Sequence, residues 1–234
     1  VINIFLYLSL LLLSQQSKKS ANSLLIISMK KYPSIKELQE GTMLLIDKPY
    51  GITSFAAINK IKNTAKVKIG HAGTLDPLAT GLLICCTGSF TKKISDYQRL
   101  PKEYTGSFYL GSTTPTYDLE SEPEVQASIS HLTEEWIQQT TKQFIGDILQ
   151  VPPIHSAIKK DGKRAYELAR KGKDIQLEAR PITISTFEIT TFQLPEVNFR
   201  VVCSTGTYIR SLAHDFGKAL GVGAYLNSLR RTAI

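Results

Sequence analysis

The sequence predicts an α+β fold, a mixed and mostly antiparallel sheet flanked by helices. Three observations carry this. Strand-like and helix-like runs are interspersed along the chain without the regular strand–helix–strand rhythm of a parallel sheet. Asn198–Ser204 alternates, with Phe199, Val201 and Cys203 on one side and Arg200, Val202 and Ser204 on the other, the period of a half-buried strand. After Gly206, the residues Ile209, Leu212, Ala213, Phe216 and Leu220 share one helical face, and Gly221 is the expected stop.

Taken in order, residues 1–40 stand apart as an N-terminal extension. Ile4–Leu13 is an apolar run too short to span a bilayer, and no basic residue precedes it as a signal peptide requires. The chain begins with Val, and Met29 is the expected natural start, with residues 1–28 an upstream extension. From Gly41 the pattern is regular, and a single domain over 41–234 is expected. Met43–Asp47 reads as a strand ended by the Lys48-Pro49-Tyr50-Gly51 turn. Ser54 is placed to cap a helix carrying Phe55, Ile58 and Ile61 on one face. A glycine-punctuated loop follows over Gly70–Gly81, then an apolar strand, Leu82–Cys86, and an alternating strand, Glu103–Gly111. Pro115–Ala127 reads as a polar loop. Thr133 caps a helix with Glu134 and Glu135 in its first turn, where carboxylates suit the helix dipole. Trp136, Ile137, Thr140 and Phe144 form its expected buried stripe, and Gly146 its end. Residues 152–180 form a basic, loop-rich insertion with a short helix near Ala165–Lys171. Pro181–Phe192 and Asn198–Ser204 are the last expected strands. No internal repeat is visible.

Composition narrows the function. Hydrophobic residues are 42% and charged residues 21% of 234, an ordinary globular balance that excludes collagen-like, disordered and disulfide-scaffold classes. The net charge is +8, and residues 151–234 hold 13 Lys/Arg against 7 Asp/Glu. A basic C-terminal half points to a polyanion, RNA or DNA first, with a solvated basic surface as the alternative. The three cysteines, Cys85, Cys86 and Cys203, lack zinc-site spacing. They read as reduced, buried small hydrophobes of a cytoplasmic protein. The four histidines show no metal-ligand spacing, so no metal is expected.

Four segments could carry chemistry. In Gly70-His71-Ala72-Gly73-Thr74-Leu75-Asp76-Pro77-Leu78-Ala79-Thr80-Gly81, a carboxylate sits in a glycine-flanked loop stiffened by Pro77. That makes Asp76 either a nucleophile or base, or a turn aspartate bonded to its own backbone. The loop is not a P-loop, because the Gly-Lys-Ser/Thr ending is missing. Ser204-Thr205-Gly206-Thr207-Tyr208-Ile209-Arg210 joins a strand to a helix, where Arg210 either holds a carboxylate ionised by a two-pronged bond or is a surface arginine beside a half-buried tyrosine. Tyr104, entering a strand after Lys102-Glu103, is either core or a stacking platform for a base. In the insertion, Lys159, Lys160, Lys163, Arg164, Arg170, Lys171, Lys173 and Arg180 outnumber four acidic residues, which suits a phosphate backbone or a solvated helix face.

Together these segments resemble the TruB family of tRNA pseudouridine synthases. The likeness runs from about Gly41 to Ala233. It includes Leu45-Ile46-Asp47-Lys48-Pro49-Tyr50-Gly51, the whole Gly70–Gly81 loop, Lys102-Glu103-Tyr104, Pro152–Lys159, Arg180-Pro181-Ile182, Gly206–Arg210 and Leu229-Arg230-Arg231. The Pro77–Gly81 ending is similar to the stand-alone bacterial branch. The resemblance implies a pseudouridine-synthase fold, with Asp76 as the catalytic aspartate and Arg210 paired to it. It implies Tyr208 near the sugar and base, Tyr104 stacked on the target base, and His71 holding the RNA with that base turned out. Leu229 would line the uracil pocket and Lys48 would support the site. The insertion, with Lys159, Lys160, Lys163 and Arg164, would close over the RNA arm. Pro115 stands where many relatives have an aspartate, and Asp118 fits the later acidic position. Many relatives continue past the point matching Ile234 into a PUA-like domain, which is expected to be absent.

The implied reaction converts the uridine at position 55 of the TΨC loop into pseudouridine. Atoms and electrons balance, so no cofactor is expected. The chemical path, elimination through a glycal or direct attack, stays open. The expected partner is the tRNA T-arm, with no protein partner, no membrane and a monomeric, cytoplasmic enzyme. The alternative is an RNA-binding or tRNA-folding module that keeps the pocket without turnover. A DNA-binding role is disfavoured, because no helix-turn-helix or zinc-finger pattern is present.

Overall fold

The computed structural model describes residues 33–156, 158–160, 163–165 and 177–234. Met29 and the 1–28 extension lie outside them, as does the helix expected near Ala165–Lys171 beyond its first residue. The chain divides into two compact units between Arg99 and Leu100.

The first unit holds α1 (Ile35–Glu40), β1 (Met43–Lys48), α2 (Ser54–Ala65), β2 (Ile69–His71), β3 (Thr80–Thr87) and α3 (Ile94–Arg99). Helix α1 falls within the segment set apart as an extension, and a capping box of Ser34 and Glu37 starts it. Both β1 and β2 pair antiparallel with β3, Lys48 opposite Gly81 and His71 opposite Cys85. The cap of α2 is Thr53, whose hydroxyl accepts from the Ala56 N–H at 3.0 Å. Ser54 is instead the first helical residue. The buried face runs Ser54, Ala57, Ile58, Ala65, at helical spacing. Phe55 lies further round the helix and is 58% exposed, against the expectation. Leu44, Ile46, Ala57, Ile58, Leu83 and Cys85 form the core of this unit, as strand alternation in β1 and helical spacing in α2 require.

The second unit holds β4 (Lys102–Leu110), β5 (Ser112–Thr113), β6 (Glu124–Val125), α4 (Glu134–Thr141), β7 (Gly146–Gln150), β8 (Lys159–Lys160), β9 (Lys163–Arg164), β10 (Arg180–Gln193), β11 (Glu196–Cys203), α5 (Ile209–Ala219) and β12 (Ala224–Ala233). Its sheet runs β12-β4-β11-β10-β7, with antiparallel neighbours. The alternation in β11 holds: Val197, Phe199, Val201 and Cys203 are all buried. The apolar face of α5 holds too, and Phe216 meets Phe187 at 5.2 Å and Phe108 at 5.8 Å between ring centroids. Gly217 lets α5 pack closely on β12, since a Cβ there would strike the Ala224 backbone. Thr133 caps α4 as expected, but the helix ends at Thr141 and Gly146 opens β7, which the sequence did not suggest. Trp136 is 42% exposed, and Ile137 and Thr140 are buried beside Thr141. Strand β12 was also unforeseen. All three cysteines are free and buried.

Candidate active site

In the first unit the Gly70–Gly81 loop bridges β2 and β3, and Asp76 is fixed from both sides. On one side, the Leu75 N–H donates to Ser54 Oγ at 2.8 Å, and the Ser54 hydroxyl donates to the Leu75 carbonyl at 2.9 Å. Ser54 and Leu75 are each 2% exposed, so no bulk water competes. On the other side, the Pro77 carbonyl accepts from Lys48 Nζ at 3.1 Å and from the Gly51 N–H at 2.9 Å. The Asp76 carbonyl itself accepts from Ala79 N–H, closing a turn. Gly73 has φ +95°, a conformation that only glycine takes without strain. Asp76 is half-buried at the apex of this anchored stretch.

Lys48 is fully buried, and its other two N–H groups meet the carbonyls of Pro49 at 3.0 Å and Ile52 at 2.7 Å. Burial pushes its pKa from the ordinary 10.5 down to about 8, while attraction to the Asp76 charge opposes the fall. The first motif therefore supplies a positive charge that ties β1 and its turn to the backbone after Asp76. His71 is half-buried at the end of β2, where the loop begins.

In the second unit, Tyr104 is nearly buried on β4, opposite Arg231 of β12. Leu229 lies opposite Gly106, two residues along both strands. The pleat puts Tyr104 and Leu229 on one face of the sheet. Tyr208 is the N-cap of α5, and Arg210 lies in its first turn, 4% exposed. Arg210, expected opposite Asp76, has an ion pair within its own unit: Nε lies 3.6 Å from Asp118 Oδ2, and both side chains are buried. It also donates to the carbonyls of Thr116 at 3.4 Å and His155 at 3.1 Å. The Asp118 loop is pinned beside this pair. Tyr117 has φ +63°, a strained value for an aromatic residue, and its ring stacks on His214 of α5 at 4.1 Å. Its carbonyl accepts from the Leu226 N–H.

In the insertion, the β8 and β9 backbones pair as a hairpin, with Lys159 opposite Arg164 and Lys160 opposite Lys163. Arg170, Lys171 and Lys173 lie outside the described residues. Among the described residues no cluster of His, Cys, Asp and Glu is arranged to hold a metal, and no helix is long and apolar enough to cross a membrane.

Residues 60–209 match the model of the TruB family pseudouridylate synthase N-terminal domain. A Flavobacterium johnsoniae protein named tRNA pseudouridine synthase B is 59% identical over 207 residues, covering 85% of this chain and 90% of its own. The chain belongs to the TruB family. A Phocaeicola vulgatus protein of the same name is 50% identical over 203 residues, 84% of this chain and 86% of that one. Among solved structures, a chain of a Cbf5-Nop10-Gar1 complex superposes with a TM-score of 0.65 at 31% identity, covering 85% of this chain. A chain of an H/ACA RNP bound to a substrate RNA containing 2'-deoxyuridine gives 0.62 at 30% identity, covering 86%. This chain spans 50% of each of those two chains. The TruB likeness read from the motifs is thus borne out, and so is the α+β pseudouridine-synthase fold.

For a TruB chain, the predicted residues fall into local groups. Lys48 and Asp76 are linked through Pro77, Tyr104 and Leu229 share a sheet face, and Tyr208 and Arg210 open one helix. The motifs did not reveal Ser54 as an anchor of the loop. Asp118 was visible only as an acidic position in a polar loop, and its burial against Arg210 is a tertiary fact.

Proposed function

We propose that this chain converts uridine to pseudouridine at position 55 of the tRNA TΨC loop, with Asp76 as the catalytic carboxylate. The activity follows from membership of the TruB family and from relatives named tRNA pseudouridine synthase B at up to 59% identity. The observation that supports Asp76 is its anchoring. Leu75 and Pro77, its two neighbours, are each held by side chains or backbone from β1, the following turn and α2.

The reaction breaks the bond from N1 of the base to C1′. The base turns and C5 bonds to C1′ instead. C5 gives up its proton and N1 gains one, so the balance calls for no redox partner. The target base must first leave its stack, at a cost of a few kcal/mol. Stacking on Tyr104 returns about 1–3 kcal/mol, and Leu229 on the same face lines the uracil. Asp76 drives cleavage at C1′, and Arg210 is the positive charge that the family likeness assigns to that step. Asp118, 3.6 Å from Arg210 Nε, fixes the direction of the guanidinium. Tyr208 relays the proton that C5 releases, its phenol oxygen accepting it as the hydroxyl proton passes on toward N1. His71 holds the turned-out nucleotide, and Lys159, Lys160, Lys163 and Arg164 meet the phosphates of the T-arm. The enzyme works as a stand-alone cytoplasmic monomer without a protein partner.

Carbodiimide mapping by primer extension tests this on an unmodified tRNA transcript incubated with the full chain. A new stop reporting position 55 is expected. No stop refutes the activity, and a stop elsewhere refutes the position.

A further inference from the structure

We propose that Gln150 is a positioning residue for Tyr208, holding the tyrosine by both of its backbone polar groups so that its ring stays in register with the reacting base. This deepens the reading above and rests on Tyr208 being an active-site group.

The need arises at the start of α5. Its N-cap is Tyr208, and a tyrosine side chain cannot reach back to first-turn N–H groups as serine or aspartate does. The residue whose ring must be aimed is thus also the one where the helix begins, without a local cap to fix it. The structure supplies the fixing from a distance. Gln150 ends β7, where the chain leaves the sheet for the insertion, and it stands opposite Arg180, where the chain returns. Its side chain reaches Tyr208 twice. The Tyr208 N–H donates to Gln150 Oε1 at 2.8 Å, and Gln150 Nε2 donates to the Tyr208 carbonyl at 3.1 Å. That carbonyl also accepts the first helical bond, from the Leu212 N–H at 3.1 Å. Gln150 is 3% exposed, so water does not compete for these groups.

The residue type follows from this geometry. An amide N–H can only donate and a carbonyl can only accept, so a single side chain serving both must carry one acceptor and one donor at amide spacing. Glutamine does. Glutamate offers no donor and sets a negative oxygen against the carbonyl. Leucine offers neither. The attachment continues along the same segment: Ser211 Oγ donates to the Val151 carbonyl at 2.8 Å, and Arg210 Nη2 to that of His155. Three of the four residues from Tyr208 to Ser211, namely Tyr208, Arg210 and Ser211, are therefore tied to the segment from Gln150 to His155.

The test is a double-mutant cycle on the full chain, read as single-turnover release of tritium from C5-labelled uridine in a tRNA transcript, with tRNA affinity measured in parallel. Tyr208→Phe alone should slow release by about a hundredfold or more, as expected for loss of a proton-accepting group. Gln150→Leu should slow it by roughly ten- to a hundredfold, the cost of a misplaced reacting group, with tRNA affinity within about twofold of wild type. In the Tyr208→Phe background the same change should cost less than about threefold, because the hydroxyl it positions is gone. Gln150→Glu keeps the size and the acceptor and should also be slow, which serves as the readout if the leucine variant does not fold. Equal losses from Gln150→Leu in both backgrounds would overturn the proposal while leaving Tyr208 in its role. A loss of affinity with an unchanged rate would do the same. A normal rate for Tyr208→Phe would overturn the reading of Tyr208 and this one with it.

Discussion

Ser54→Ala removes one oxygen from the first turn of α2 and strips both backbone bonds from Leu75, the residue before Asp76. Ser54 Oγ accepts the Leu75 N–H at 2.8 Å and donates to its carbonyl at 2.9 Å, and both residues are 2% exposed. A buried backbone group left without its partner costs about 1–3 kcal/mol. The void left by a hydroxyl is too small for a water with its own partners. Two such groups give a loss of roughly 2–5 kcal/mol. At about 2–4 °C per kcal/mol for a chain of this size, the melting temperature should fall by roughly 5–15 °C. Rate is the sharper readout. If Leu75 relaxes toward the vacated space, Asp76 moves with it, and a displacement near 1 Å costs on the order of a hundredfold. Thermal melting and single-turnover tritium release, measured on the same preparation below its transition, check both. A melting temperature unchanged within about 1 °C and a rate within about threefold of wild type would show that the clasp neither stabilises the loop nor places the carboxylate.

Other outcomes follow from the same geometry. Asp118→Asn keeps the acceptor for the Glu120 N–H but removes the negative charge 3.6 Å from Arg210 Nε; urea unfolding should show a loss of about 3–5 kcal/mol, as for one partner of a buried pair, and turnover should fall with it. Lys48 titrates at about 8 when folded, below its ordinary 10.5, so between those values the unfolded chain holds the extra proton and stability rises with pH. Relative to Lys48→Met, wild type should therefore gain up to about 3 kcal/mol from pH 8 to pH 10.5 in urea titrations, and a gain on lowering the pH would contradict the burial argument. Neutralising Lys159, Lys160, Lys163 and Arg164 should weaken tRNA binding and flatten the slope of log affinity against log salt by about three to four units; an unchanged slope would mean that the hairpin does not meet phosphates.

Much of the site was legible because its signals are local. Asp76 stands in a loop whose glycines and proline declare an unusual backbone, and Tyr208 and Arg210 follow a glycine between a strand and a helix with an unbroken apolar face. Other features depend on residues far along the chain. Thr53 and Ser54 are equally good caps by chemistry, and the choice falls to Thr53 because Ser54 is taken up by Leu75. Asp118 looks like a solvated loop residue until Arg210 folds against it. Gln150 ends a five-residue strand too short to show a period, and its partner is Tyr208. Strand β12 carries register shifts next to Ser228 and Ala233 that break the alternation a sequence would display. Trp136 was expected inside as part of the stripe with Ile137, Thr140 and Phe144, but it is 42% exposed at the surface of α4, with its ring 5.7 Å from that of His131.

The proposed chemistry rests on the Asp76 carboxylate, in a loop built to hold it still. Single-turnover tritium release by Asp76→Asn, beside its tRNA affinity and melting temperature, tests this most directly. The rate should be lower by roughly 10⁴-fold or more, with affinity within about twofold of wild type and no loss of folding. A residual rate within about tenfold of wild type would contradict it.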